Sequence, residues 1–145
     1  MTGHVRKREL RAPSRLGKPR PPHRAVTQAR IGRTYRFEAA HHLPLLADGH
    51  KCRTMHGHSY RVDVVVGGGL DARGLVMDFA EIDAEVLPLI ARIDHRVLND
   101  VEGLENPTAE LIAAWLLERV AACESVRVYE NDDCWAEVHR APARS

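Results

Sequence analysis

Histidine, cysteine and glycine crowd one short stretch, His50-Lys51-Cys52-Arg53-Thr54-Met55-His56-Gly57-His58-Ser59-Tyr60, with His41 a little upstream. The run Tyr60-Arg61-Val62-Asp63-Val64-Val65-Val66 has the β-branched composition of a strand. Side chains two apart on a strand share a face. His56 and His58 at its start therefore aim both imidazoles at one point, and Gly57 is expected to leave room between them for something bulky. His41 closes another strand-like run, Thr34 to Ala40. Three neutral imidazoles with a free fourth position are how a catalytic zinc is usually held. Structural zinc normally draws on paired cysteines, and the chain has no Cys-x-x-Cys. Cys52 is near enough in sequence to serve the same site without being a ligand. His42 falls on the opposite face from His41 and His50 in a loop turn, and both read as bystanders.

Further polar residues are chemically ambiguous. Glu130 shares a strand face with Val126 and Val128, which puts its carboxylate on the apolar side. A buried carboxylate needs a partner. It is either half of an ion pair, within the fold or at a subunit contact, or an anchor taking two parallel N–H bonds from a guanidine-like ligand edge. Asp94-His95 is either an adjacent pair at a helix C-terminus, where the dipole favours histidine, or a proton relay in which Asp94 fixes the tautomer of His95. With Cys52 the two would form a Cys-His-Asp set, since a neighbouring imidazolium or metal favours the thiolate.

The elements that position these groups follow from periodicity. Strands are expected over Thr34–His41 and His58–Gly67, joined by the loop 42–55 and closing as an antiparallel pair that brings His41 beside His56 and His58. After the Gly67-Gly68-Gly69 and Leu70–Gly74 turns and a short extended run at 75–77, Asp78 caps a helix from Phe79 to about Ile93. Its stripe is Ile82, Val86, Leu89, Ile90 and Ile93, interrupted by Pro88. Asn106 as cap and Pro107 in the first turn start a second helix, buried through Leu111, Ile112, Trp115, Leu116 and Val120. Strands at Ser125–Glu130 and Trp135–His139 complete an α+β order, ββααββ: a four-stranded antiparallel sheet with both helices on one face.

The 145 residues suit one domain with a real core, and 44% hydrophobic and 28% charged residues are ordinary for a globular protein. The net charge of +1 conceals a split: residues 1–33 hold ten Lys/Arg against one acid, and residues 34–145 hold eleven against nineteen. Two parts follow. Residues 1–33 read as a disordered, Arg/Pro-rich basic leader, a solvated extension or the product of an early start codon; residues 34–145 are the folded domain. A nucleic-acid arm is the functional alternative for the leader, but no aromatic residue is interleaved and no basic folded face follows, so no nucleic-acid partner is expected. No apolar run approaches the roughly 18 residues of a membrane span, and no secretory signal is present, so no membrane association is expected. Cys52, Cys123 and Cys134 form no paired framework, as suits a reducing cytoplasm.

Taken together, Phe37-x-Ala39-Ala40-His41-x-Leu43, Gly49-His50-Lys51-Cys52, His56-Gly57-His58-Ser59-Tyr60, Asp78-Phe79, Asp94-His95-x-x-Leu98-Asn99, Glu105-Asn106-Pro107-Thr108-x-Glu110 and Tyr129-Glu130 occur in one order. In this the chain resembles the 6-pyruvoyltetrahydropterin synthase family over about residues 34–140, most of all its bacterial branch of 6-carboxytetrahydropterin synthases in queuosine biosynthesis. The resemblance implies a tunnelling fold (T-fold) that assembles as a homo-oligomer, trimer or hexamer, with active sites at subunit contacts. It implies Zn2+ on His41, His56 and His58, Cys52 as catalytic base and Asp94 and His95 as relay. It also implies a pterin ring anchored by Glu130 with help from Thr108, Ala109 and Glu110, and 7,8-dihydroneopterin triphosphate as substrate. Two departures stand out: Asn131 follows Glu130 where the family commonly has Thr, and Arg53-Thr54-Met55 replaces Gly-Arg-Leu after the cysteine. The acidic domain and the polyanionic substrate are also in tension. Lys51 and Arg53 are the local cations that could relieve it, or else two exposed loop charges.

Overall fold

The computed structural model describes residues 28–142. Two long strands form its spine, β1 (Ala29–His41) and β2 (His56–Gly68), thirteen residues each and paired antiparallel along their whole length. β1 thus begins five residues before the expected Thr34. Arg30, Gly32 and Arg33 look like a continuation of the basic leader, but β2 offers a partner for each, Gly67, Val65 and Val64. The remaining expectations for the leader, residues 1–27, lie outside the described residues.

Alternation sorts the two faces. Tyr35, Phe37, Ala39 and His41 of β1 and Tyr60, Val62, Val64 and Val66 of β2 are buried, whereas Arg36, Glu38, Gly57 and Ser59 point the other way. The inward set joins one core with α1 (Phe79–Ile93) and α2 (Ala109–Arg119), so both helices cover the same face. Asp78 caps α1 as expected, its carboxylate accepting from the Ala80 N–H at 2.9 Å while the Glu81 side chain reaches back to the Asp78 N–H. The helix runs through Pro88 and buries Ile82, Val86, Ile90 and Ile93.

α2 starts later than expected. Thr108 is its cap, the hydroxyl accepting from the Leu111 N–H at 3.2 Å, and Asn106-Pro107 stays outside the helix. Leu111, expected in the core, is exposed; Ala109 and Leu117 are buried beside Ile112, Trp115 and Leu116, and Val120 is buried just past the helix end.

The sheet has five strands where four are expected. β4 (Cys123–Tyr129) pairs with β2, and β5 (Trp135–His139) pairs with β4, both antiparallel. The fifth is β3 (Arg96–Val97), two residues lying parallel to Ala39–Ala40 at the far edge, giving the order β3-β1-β2-β4-β5. It is docked by the polar groups before it: the His95 N–H donates to the Glu38 carbonyl, and the Glu38 N–H donates to Asp94 Oδ1 at 2.9 Å. A two-residue strand leaves no periodicity to detect. No helix among the described residues is long and apolar enough to cross a membrane.

Candidate metal centre and active site

The β1–β2 register sets His41 directly opposite His56 and Ala39 opposite His58, all on the core face. One ring nitrogen from each of His41, His56 and His58 lies within 4.8 Å of the others. His41 is 1% exposed, and its Nδ1 lies 2.8 Å from the Pro107 carbonyl; His56 Nδ1 lies 2.7 Å from the Thr54 carbonyl. A carbonyl only accepts, so both Nδ1 atoms carry their ring hydrogen, and in the neutral rings both Nε2 atoms are then bare lone pairs. Those two Nε2 atoms face each other at 3.0 Å. His58 Nε2 is buried with no hydrogen-bond partner.

Lone pairs in opposition need a cation between them. Burial pushes the pKa of His41 below the usual imidazole value, with the Pro107 carbonyl and the Glu130 charge acting the other way, and burial likewise lowers His58. Burial thus favours the neutral, ligating form of His41 and His58. Orphaned nitrogen, fixed tautomers and an all-imidazole donor set fit a divalent metal of the zinc type.

Backbone contacts place the surrounding groups. The Asn99 side chain brackets His42, accepting from its N–H at 3.0 Å and donating to its carbonyl at 2.8 Å, which fixes the strand end beside His41. Cys52 sits in a 3-10 turn, Lys51–Arg53; its N–H donates to His50 Nδ1 at 3.1 Å and its carbonyl accepts from the Leu43 N–H at 2.8 Å. The half-buried thiol is thereby held beside the segment that follows His41, and His50 is the cap of its turn. Arg53 Nη1 is committed to its own loop, donating to the Pro44 carbonyl at 3.0 Å and the Leu46 carbonyl at 2.6 Å, with Asp48 at 3.3 Å. Lys51 is exposed.

Glu130 follows β4 directly, and its Oε1 stands 4.0 Å from His41 Nε2. Asn131 aims it: the Asn131 Oδ1 accepts from Asp133 and Cys134 N–H groups at 3.0 and 2.8 Å, closing the turn in which the Glu130 N–H meets the Cys134 carbonyl. The departure at Asn131 thus has a local structural job. Thr108, Ala109 and Glu110 come next after Pro107, whose carbonyl holds His41; the Thr108 hydroxyl is engaged as the helix cap, Ala109 is buried and Glu110 is exposed. Tyr60, which the sequence reading left aside, is 1% exposed beside the cluster, its ring centroid 5.4 Å from that of His58 and 5.9 Å from that of His41. Period two from His56 and His58 was the signal that could have found it.

The Asp94–His95 pair forms as expected, with His95 Nδ1 2.9 Å from Asp94 Oδ1. The Glu38 N–H, ahead of His95, holds the Asp94 carboxyl below the usual carboxylate range. His95 has a positive φ of 54°, uncommon for a residue with a side chain, and projects into solvent. It borders a cleft of about 540 Å³ with Glu38, Ala40, Gly57, His58, Ser59 and Arg96. By alternation Glu38, Ala40, Gly57 and Ser59 lie on the outer sheet face, and His58 of the triad borders the cleft as well. Among the described residues no hydrogen bond or ion pair joins Asp94 or His95 to Cys52. Gly57 opens onto the same outer face, so it leaves no space between the imidazoles; a Cβ there would meet the Ala39 carbonyl oxygen at 3.3 Å, and the glycine serves close strand approach.

An α+β fold that gathers three imidazoles on two neighbouring strands, with a carboxylate 4.0 Å from one of them, defines a protein with a candidate trihistidine metal site. Comparison with known proteins narrows this. The family model of 6-pyruvoyl tetrahydropterin synthase matches residues 30–141. A 6-carboxy-5,6,7,8-tetrahydropterin synthase of Synechocystis sp. is 42% identical over 112 residues, spanning 70% of this chain and 85% of that protein. A dihydroneopterin monophosphate aldolase of Pyrococcus furiosus is 37% identical over 93 residues, 64% of this chain and 75% of that one. The solved 6-pyruvoyl tetrahydropterin synthase of Caenorhabditis elegans superposes with a TM-score of 0.73 at 26% identity, over 80% of this chain and 98% of that chain. The chain belongs to the 6-pyruvoyl tetrahydropterin synthase family, and its fold is the T-fold unit.

Proposed function

We propose that the protein is a zinc-dependent 6-carboxy-5,6,7,8-tetrahydropterin synthase, converting 7,8-dihydroneopterin triphosphate to 6-carboxytetrahydropterin with loss of triphosphate and acetaldehyde, in queuosine biosynthesis. The observation that carries it is the opposed pair of His41 and His56 Nε2 atoms at 3.0 Å, in a chain 42% identical to a 6-carboxy-5,6,7,8-tetrahydropterin synthase. Zinc on His41, His56 and His58 would supply Lewis acidity to a side-chain diol, making its C–H hydrogens removable. Cys52 takes such a proton as base. Glu130 receives the N–H edge of the pterin ring, and the segment 108–110 lines the approach. His95, its Nδ1 held by Asp94, presents Nε2 for proton transfer. Among the described residues no hydrogen bond or ion pair joins the pair to Cys52 of its own chain, which supports the reading that it serves the thiol of a second copy in a homo-oligomer with shared active sites.

Incubation with 7,8-dihydroneopterin triphosphate tests the reading. Acetaldehyde release together with a product of 6-carboxytetrahydropterin mass is expected. The alternative, favoured by the likeness to the nematode enzyme, is the pyruvoyl-forming reaction, which eliminates triphosphate without carbon–carbon cleavage and yields no acetaldehyde. Cys52→Ala is expected to remain folded and metal-loaded with turnover lost; retained turnover would falsify its assignment as base.

A further inference from the structure

On the sheet face turned away from the helices, alternation sets Thr34, Arg36 and Glu38 of β1 beside Asp63, Arg61 and Ser59 of β2. Most charges on this face are matched. Glu38 accepts from the Ser59 hydroxyl at 2.8 Å and Asp63 from the Thr34 hydroxyl at 2.7 Å. Arg127 donates to Glu137 at 2.8 Å and Arg30 to Glu124 at 2.9 Å. Arg36 and Arg61 are the exceptions: among the described residues neither side chain makes an ion pair or a hydrogen bond. They are direct partners in the β1–β2 register, which sets their Cβ atoms about 4.5–5.5 Å apart, and like charges so placed repel.

Arg61 is also fixed in place. Its guanidinium lies 3.7 Å over the ring of Tyr129, its partner on β4, and its Nε is buried with no hydrogen-bond partner. An apolar side chain would cover Tyr129 without the repulsion from Arg36 and without the lost solvation of that N–H. Arg36 stands exposed beside it.

We propose that Arg36 and Arg61 form an oxyanion site on the outer sheet face, and that its ligand is a short polyphosphate chain. Guanidinium forks match phosphate oxygens, and a multivalent anion relieves two like charges where a single carboxylate balances one. The pair lies two residues along β1 and β2 from Glu38 and Ser59, which border the His95 cleft; at about 3.3 Å per residue this is about 7 Å. A substrate seated at that cleft has its triphosphate within reach, and a free polyphosphate offers the same chemistry. The site itself rests on the two arginines and not on the pterin reading.

The test is calorimetric titration of the full-length, metal-loaded protein with inorganic triphosphate. Arg36→Gln is expected to weaken binding about tenfold, as is Arg61→Lys, which keeps the charge and loses the planar fork. Arg20→Gln, an equal loss of charge in the basic N-terminal segment, is expected to leave binding unchanged. The thermal midpoint of ligand-free Arg36→Gln is expected to be unchanged or higher, because a cross-strand repulsion is relieved. No triphosphate binding by the wild type, or equal binding by the wild type and both sheet variants, overturns the proposal. So does an equal weakening in Arg20→Gln, which would mean diffuse attraction to a basic chain. KM for 7,8-dihydroneopterin triphosphate separates the two sources: a parallel rise assigns the site to the substrate tail, and an unchanged KM with weakened triphosphate binding assigns it to a separate polyphosphate. Both results uphold the site. Absence of turnover by the wild type removes the pterin reading and leaves the binding result standing.

Discussion

Metal should stabilise the folded chain through the three histidines, and the size of the effect follows from their geometry. Without a cation the bare Nε2 atoms of His41 and His56 oppose each other at 3.0 Å, and a proton placed between them would charge a ring that burial keeps neutral. A ligand binding only the folded state stabilises it by about 2.7 kcal/mol at one hundred times its dissociation constant. For a domain of this size each kcal/mol moves the midpoint by roughly 3–5 °C, so zinc should raise it by about 8–14 °C. The assay is thermal unfolding of metal-stripped protein titrated with zinc, with magnesium, which prefers oxygen ligands, as control. His41→Ala should abolish the zinc increment. It also leaves the Pro107 carbonyl without its donor, so the increment and not the absolute midpoint is the measure. His56→Ala, at a half-buried ring, provides the same comparison if the first variant does not fold. A zinc increment surviving in either variant, or an equal one from magnesium, would refute the reasoning.

Two further predictions follow from charges near the site and beneath α1. Lys51 and Arg53 should separate: Lys51→Ala should raise KM for the triphosphate a few-fold at low salt and converge with wild type at high salt, whereas Arg53→Ala should lower kcat and expose the loop 44–52 to proteolysis, because its guanidinium binds the Pro44 and Leu46 carbonyls. An unchanged KM for Lys51→Ala at every salt concentration rules out the steering role. Asp83 accepts two bonds from Arg33 at 3.0 Å and one from Tyr35 at 2.8 Å, and these hold its carboxyl below the usual 3.8, the Arg33 bonds foremost. A depressed folded pKa contributes stability that is present above the unfolded value and lost as pH falls through the folded one. Acid titration of the metal-free protein should therefore lose stability below about pH 4, and Asp83→Asn should flatten that loss; an identical acid profile in the variant would exclude the pair as a contributor.

What could be read from the sequence was whatever depends on short-range alternation. His41, His56 and His58 were legible because two strands joined by one loop can meet in few registers, and only one puts three imidazoles on the core face. The Asp78 cap and the Ile82–Ile93 stripe were legible for the same local reason. What stayed hidden is long-range or carried by the backbone. The Pro107 carbonyl that fixes the His41 tautomer lies 66 residues away, and in sequence Asn106-Pro107 looks like an ordinary helix start. β3 is fixed by the Glu38 backbone meeting Asp94 and His95, too short a pairing to leave a pattern. Arg53 counts as a cation in sequence, yet two carbonyls of its own loop have claimed it. Of the four buried side-chain atoms without a hydrogen-bond partner among the described residues, His58 Nε2 and the Tyr60 hydroxyl lie on one strand two residues apart and on the same face. A chain selected for stability alone would have placed apolar side chains at both positions. His58 Nε2 belongs to the trihistidine cluster, so the partner it lacks is the cation, and local stability is lower here until that cation binds.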